Sequence, residues 1–592
     1  MFRPLVLLAL QVLAISAKTV TYNWEVDWVS VSPDGHERSA VGINGQWPCP
    51  SIAADVGDQV VVNVKNCLVN ETTSIHFHGI FQHGSNQMDG PAMVTQCPIP
   101  PGETFTYDFT LKQTGTYWYH AHVGGQYLDG LRGPLIIHDP KAPFAYDEEV
   151  VLTLSDWYHT QAPYLIQYFQ SSLNENLHGG SEPVPNATLI NEAQNVHIPI
   201  KANKAYLFRI INMGGFAAQY FQFDQHDMTV VEIDGVYTQP HRVNQIFLTA
   251  AQRYSVIVHS KSNTKQNFAI IASMNDDMFD PGVTPNDIDQ SCNAWLIYDN
   301  TKPLPPPLKP IDDDVTQQSE DDTVFVPLDN RRPFGPVAKQ IPLAVNFSAN
   351  AQNQNRGSFN NISYVAPQVP TLYTALSAPA DLVNNPLIYG ANTNPIVLKM
   401  GEIVDLLITN YDGGAHPFHL HGHQFQVIAR SSAGPDDGPP LTIPTNYLSK
   451  EPAAPMRRDT VLIYGNGYAV IRFKVDNPGI TLFHCHIEWH VEAGLTLVFV
   501  EAPTELQKLK LVIPQNHKDA CQKLNIPMSG NAMGRQGSEK AWLDLSGEPT
   551  LPALDDWGAL VQPPASNNPN VLAPRTLGRL GRFVGKESDG GE

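Results

Sequence analysis

A chain of 592 residues is too long for one hydrophobic core, and its length predicts roughly three to four domains. Only 16% of residues are charged, against 49 Pro and 42 Gly, the composition of a turn-rich, mostly β protein. The net charge of −21 argues against nucleic acid as a partner, leaves a weak case for cationic substrates, and chiefly serves solubility.

The amino terminus reads Met1-Phe2-Arg3-Pro4, then an apolar run over 5–15 broken by Gln11, then Ser16-Ala17. A short positive region, an apolar stretch too short to span a membrane and a small residue predict a secretory signal over 1–17. The mature protein is thus expected to be secreted, extracellular or in the cell wall. Sequons at Asn70, Asn186, Asn346 and Asn361 fit export as glycosylation sites. No later apolar run is long enough for a membrane helix, so no membrane span is expected. Six cysteines stand at Cys49, Cys67, Cys97, Cys292, Cys485 and Cys521. If Cys485 binds metal, an odd number remains and at least one thiol is free. Sequence does not fix the pairing; Cys97 with Cys521 is our expectation, tying the first domain to the tail.

Residues 18–145 alternate polar and apolar in short runs such as Gln59-Val60-Val61-Val62-Asn63-Val64, which predicts a β-sandwich or Greek-key barrel. They carry His76-Phe77-His78-Gly79 and His120-Ala121-His122. A second β domain over 146–300 has no His-x-His. Residues 301–339, with a Pro-rich stretch and then Asp312-Asp313-Asp314 and Asp321-Asp322, read as a stiff acidic linker. A third β domain over 340–503 holds His416-Pro417-Phe418-His419-Leu420-His421 and His484-Cys485-His486-Ile487-Glu488-Trp489-His490. The tail, 504–592, is predicted to be irregular cover; its basic end with Arg575, Arg579 and Arg582 reads as a solvated terminus.

With 21 His, chance predicts roughly 0.7 His-x-His pairs, and the chain has five. A lone pair would be two half-buried strand residues. Four separated pairs, two in the first domain and two in the third, point instead to one shared site. The overlapping His423 reads as a supporting or structural residue. The eight imidazoles suffice for three coppers: His76 and His419 for one, and His78, His120, His122, His421, His484 and His486 for a coupled pair. In an extended strand alternate side chains face opposite ways, so Cys485 points away from His484 and His486. It is then free to bind a fourth copper with His416 and His490, the ligand set of an electron-transfer copper centre. Ten residues on, Leu495 occupies the place where a weakly binding Met could sit. A leucine cannot ligate, which favours Cu(I) and a raised potential. Asp89 and Glu488 lie close to ligands, and forming water consumes protons, so both are candidate proton relays. Asp89 also suits a plain turn before Gly90.

His-x-His-Gly, His-x-His, His-Pro-x-His-x-His and His-Cys-His-x3-His-x4-Leu, in this order, resemble the four copper signatures of the multicopper oxidases. The resemblance covers most of 20–503 and implies an all-β chain of three cupredoxin-like Greek-key domains. It also implies four Cu per chain: a type 1 copper in the third domain and a type 2/type 3 cluster between first and third, with dioxygen as acceptor. In wording the chain is most similar to fungal iron-uptake ferroxidases, as in Gly115-Thr116-Tyr117-Trp118-Tyr119-His120 and Met456-Arg457-Arg458-Asp459-Thr460. That resemblance implies Fe(II) binding by Glu182 and Asp412. Two departures stand beside it: such ferroxidases are usually tethered beside an iron permease by a carboxyl-terminal membrane helix, absent here, and an expected tyrosine is replaced around Arg356. On the missing anchor, the expected donor is a phenolic or pigment-type metabolite oxidised one electron at a time near His416 and His490. Fe(II) through Glu182 and Asp412 is the alternative, with an iron permease as a less favoured partner. A non-catalytic copper carrier is a remote third, since a carrier has little use for eight imidazoles and would show clustered thioethers.

Overall fold

Side-chain alternation sets the strands. In Gln59–Asn66, Val60, Val62 and Val64 are fully buried while Gln59, Val61 and Asn63 are half-buried and Lys65 is exposed, as a one-sided sheet requires. The computed structural model describes residues 17–262, 265–311, 321–435 and 438–549. The expected signal up to Ser16, the Asp312-Asp313-Asp314 run and the basic end of the tail lie outside the described residues.

Six sheets form three two-sheet units: two of four strands, then a six- and a five-stranded pair, then a second six- and five-stranded pair. Parallel and antiparallel neighbours mix in each unit, for instance Thr19–Val31 parallel to Gln59–Asn66 and antiparallel to Arg38–Ile43. The ligand-bearing strands depart from one-sided burial. Ile75–His78, Gly115–Ala121, His416–Leu420 and Gly479–Cys485 are buried on both faces, because one side meets its own core and the other meets another unit. One apolar core accordingly runs through first and third units, taking in Phe77, Trp118, Phe418 and Phe483. The middle unit keeps a core of its own around Phe208, Phe221 and Val256.

The tail departs from the irregular cover read from sequence. Helices Pro503–Lys508, Gln515–Lys523 and Glu539–Trp542 pack onto the third unit and reach back to the first. Cys97 and Cys521 are disulfide-bonded, and His517 stacks on Phe105 with ring centroids 3.5 Å apart. Cys49, Cys67 and Cys292 are free, as is Cys485. Beyond the acidic run, Asp321 caps the turn Asp322–Val324, and both acids pair with Arg430 at 2.6 and 2.5 Å. The linker is thus latched onto the third unit. Among the described residues no helix is long and apolar enough to cross a membrane.

Glu71 is buried in the first unit with one neutral donor, Gln126 Nε2 at 2.8 Å. Burial, aided by the charge of Asp129 and only partly opposed by that hydrogen bond, pushes its carboxyl up to about 8. An unfolded glutamate ionises near 4.3. Between those values the folded chain binds the extra proton, so stability falls as pH rises, by roughly 1.4 kcal/mol per pH unit from this group. Glu71→Gln is expected to leave stability near pH 4 unchanged and to raise it above the parent by pH 8. Melting curves of the two proteins that stay parallel from pH 4 to 8 would refute this.

Candidate metal centres

The histidine pairs meet because the strands carrying them pair in register. His76 lies opposite His120 in one antiparallel ladder, and His419 opposite His484 in another, where side chains directly across stand about 5 Å apart. The two ladders then face each other across the boundary between first and third units. His78 stacks on His419 at 3.8 Å and His76 on His421 at 4.0 Å, and His120 and His122 lie 5.3 and 5.4 Å from His486 and His484. All eight predicted cluster ligands are brought together.

Hydrogen bonding aims each ring. Nδ1 of His76, His419, His120 and His484 is held by the backbone carbonyls of Asp89, Asp459, Ala121 and Cys485. Nε2 of His76, His120 and His419, Nδ1 of His78 and both nitrogens of His486 are buried without a partner. Orphaned buried nitrogens are costly unless something binds them, and donor atoms of His76, His78 and His120, and of His76, His419 and His421, lie within 4.8 Å of one another. His421 Nε2 and His484 Nε2 are 3.0 Å apart, and with His122 they form one convergent set, leaving His78, His120 and His486 for its neighbour. Burial, then the crowd of adjacent imidazoles, holds His78, His120, His122, His419, His421 and His486 well below the usual histidine range. His484 is brought down to about 4 by burial. Neutral rings keep the lone pairs that copper requires, so the residues fit three coppers.

At the second centre Cys485 Sγ lies 3.4 Å from His490 Nδ1 and 3.7 Å from His416 Nδ1, and the two nitrogens are 3.0 Å apart. This is the spacing of three donors around one ion with metal–ligand bonds near 2.0 to 2.3 Å. Burial, and then the charges of Glu182 and Asp412, push the Cys485 thiol far up; a bound cation reverses this by deprotonating it. Leu495 is fully buried, its Cβ packs against Gly357, and a leucine side chain there would offer a bound copper no ligand. His423, bonded to Glu501 at 2.8 Å, joins neither centre.

The outer nitrogens of the same two histidines face acids. His490 Nε2 meets Glu182 Oε1 at 2.7 Å and His416 Nε2 meets Asp412 Oδ2 at 3.2 Å. The two carboxylates are 25% and 32% exposed and open on a cavity of about 500 Å³ that Glu175, Asp277 and Asp280 also line. Burial works against the Asp412 charge, but the His416 hydrogen bond and charge and the Gly414 amide bring it down to about 2. Asp280, held by Ser181 Oγ and Gly282 N–H, had no spacing signal in the sequence.

Asp89 bridges two units, its Oδ2 2.9 Å from His421 Nδ1 and its backbone carbonyl on His76. Glu488 is buried against the turn at Gly125, and burial, then Glu492, keeps its carboxyl protonated far above the usual range. Asp459, quoted above only within a resemblance, is a further part of the site. It is fully buried and forms a two-pronged pair with Arg253 at 2.7 and 2.6 Å, while its Oδ1 lies 3.2 Å from His78 Nε2. Arg253 also donates to the Thr116 carbonyl, so this pair joins all three units beneath the cluster. Of the sequons, Asn361 is exposed and Asn186 and Asn346 half-buried. Asn70 is enclosed, its amide atoms buried, and carries a glycan only if that side chain turns outward.

Family models described as multicopper oxidase match residues 25–142, 148–293 and 364–505. The chain is 48% identical over 557 residues to an iron transport multicopper oxidase of Epichloe festucae, covering 92% of this chain and 86% of that one. It is 47% identical to another from Gibberella zeae, covering 91% and 85%. The solved structure of Fet3p, a multicopper oxidase that functions in iron import, superposes with a TM-score of 0.84 at 40% identity over 89% of this chain and 98% of that one. A laccase from Botrytis aclada gives 0.75 at 31% over 86% and 92%.

Asp459→Ala leaves Arg253 charged and buried with two neutral carbonyl acceptors and a longer contact to the Asp234 carboxylate, 3.5 Å away. Breaking a buried pair costs about 3 to 5 kcal/mol, so we expect a clearly lower melting temperature and fewer coppers retained per chain; unchanged melting and copper content would refute it.

Proposed function

The chain belongs to the multicopper oxidases, copper oxidoreductases with dioxygen as acceptor, and from that premise we propose that it is a ferroxidase, oxidising Fe(II) to Fe(III). Cys485, His416 and His490 would hold a copper that supplies one-electron acceptance, and the eight clustered histidines would hold coppers that supply four-electron reduction of dioxygen to water. Four Fe(II), one dioxygen and four protons then balance four Fe(III) and two waters.

One observation carries this reading. Each histidine of the thiolate centre turns its outer nitrogen to a carboxylate that opens on the same acidic cavity. Hard carboxylate oxygens bind a small divalent cation and favour its trivalent product. An ion held by Glu182 and Asp412 therefore sits one ring away from Cys485 along either His490 or His416. From Cys485 the backbone runs directly to His484 and His486, so charge reaches the cluster through neighbours in the chain. Asp89, in contact with His421 and His76, and Glu488, whose buried carboxyl is held well above the usual carboxylate range, are the groups that would supply protons.

The expectation of a phenolic donor rested on the missing anchor alone. Two findings support the iron alternative better: the acid lining of the cavity, and relatives at 48% and 47% identity that are named for iron transport.

Glu182→Ala and Asp412→Ala each remove a charged contact to the ion. At about 1.5 to 3 kcal/mol apiece, kcat/KM for Fe(II) should fall roughly ten- to a hundredfold per substitution. Turnover with 2,6-dimethoxyphenol should stay near the parent value. Equal losses with both donors, followed by oxygen uptake, would rule out iron binding at these acids.

A further inference from the structure

The buried arginines of this chain come with carboxylates. Arg132 pairs with Glu192, Arg253 with Asp459, Arg458 with Asp234 and Arg472 with Asp405. Arg356, in strand Asn355–Phe359, differs. It is 3% exposed, and every acceptor it meets is neutral: the Asn355 carbonyl at 2.6 Å, Gln354 Oε1 at 3.2 Å and the Gln170 carbonyl at 3.4 Å. Its Nε has no partner. Burial lowers its pKa and no neighbouring charge offsets that, yet a guanidinium stays protonated at any pH the protein meets. A bare positive charge is thus sealed into the fold.

Its place gives that charge a use. Gln170, whose carbonyl Arg356 holds, sends its Nε2 to the carbonyl of Glu492 at 2.5 Å, in the helix Glu488–Glu492 that carries His490. The next residue, Gly357, donates its N–H to the Ala493 carbonyl at 3.0 Å. A Cβ on Gly357 would lie 2.9 Å from Leu495 Cβ and 3.0 Å from Phe347 Cζ, so its backbone packs directly against both side chains. Phe347 in turn stands 4.6 Å from the His490 ring and 5.6 Å from the His416 ring. Arg356 therefore lies one residue along the strand from Gly357 and one hydrogen-bonded residue, Gln170, from the helix of His490, and it touches none of the centre's ligands.

We propose that Arg356 is a fixed, uncompensated cation that raises the reduction potential of the thiolate centre. When the centre gains an electron its net charge falls by one, and a positive charge nearby favours that state. Burial removes the water and salt that would otherwise screen the effect. The hydrocarbon of Leu495 acts on the same property by withholding a ligand; Arg356 acts at longer range through its field. The role holds whichever donor the enzyme uses.

The test is a spectroelectrochemical titration of the thiolate centre in the copper-loaded full chain. Arg356→Gln should shift the potential downward while the visible and electron paramagnetic resonance spectra of the centre stay those of the parent. Gln354→Glu places a carboxylate against the guanidinium and should shift the potential downward too, with the arginine still present. Arg356→Lys keeps the charge and should hold the parent potential, and all shifts should persist at high salt. Parent-like potentials in both Arg356→Gln and Gln354→Glu would overturn the proposal. So would a fall in Arg356→Lys as large as in Arg356→Gln, which would mark a packing role.

Discussion

Everything in this molecule depends on eight imidazoles facing one another across a domain boundary. Buried histidines repel protons when crowded together, and their lone pairs then need an occupant. The fold meets that demand with backbone carbonyls that fix one nitrogen of four of the eight rings, and in three of these the other nitrogen is left bare. Neither unit can do this alone, because each supplies half of the rings. The Arg253–Asp459 pair keeps the halves in place, since it draws on the second and third units and reaches the first through Thr116.

The thiolate centre reuses the same economy of position. Cys485 and its flanking histidines differ by a single step along the chain, and the strand's alternation sends them to separate metals. His416 and His490 each serve two partners through two nitrogens, one toward Sγ and one toward a carboxylate. The axial leucine and the unpaired arginine surround this centre without joining it, so its ligand set and its electrostatic setting are specified by different residues.

Much of this was legible in the sequence, for a physical reason. Ligands on a strand must repeat with period two, so His-x-His pairs stand out against composition, and the Cys485 segment shows both sites in seven letters. What was not legible depends on distant contacts. Asp459, Arg253 and Asp280 lie in ordinary-looking stretches, and only folding brings them to the metal sites. The tail helices were missed because they are short and bury few apolar side chains, Leu506, Ala520 and Trp542 among them, too few to set a helical period. The donor was not legible, because the two acids that favour the iron reading, Glu182 and Asp412, come together at one cavity only in the fold.

The division of the cluster between first and third units also orders events during synthesis. His76 leaves the ribosome long before His486 exists, and the half-site made by the early strands has no complement to close it. The cluster therefore has no complete set of ligands until the segment that carries His484 and His486 has been made. Any metal bound to the early half-site alone would have only His76, His78, His120 and His122 to hold it.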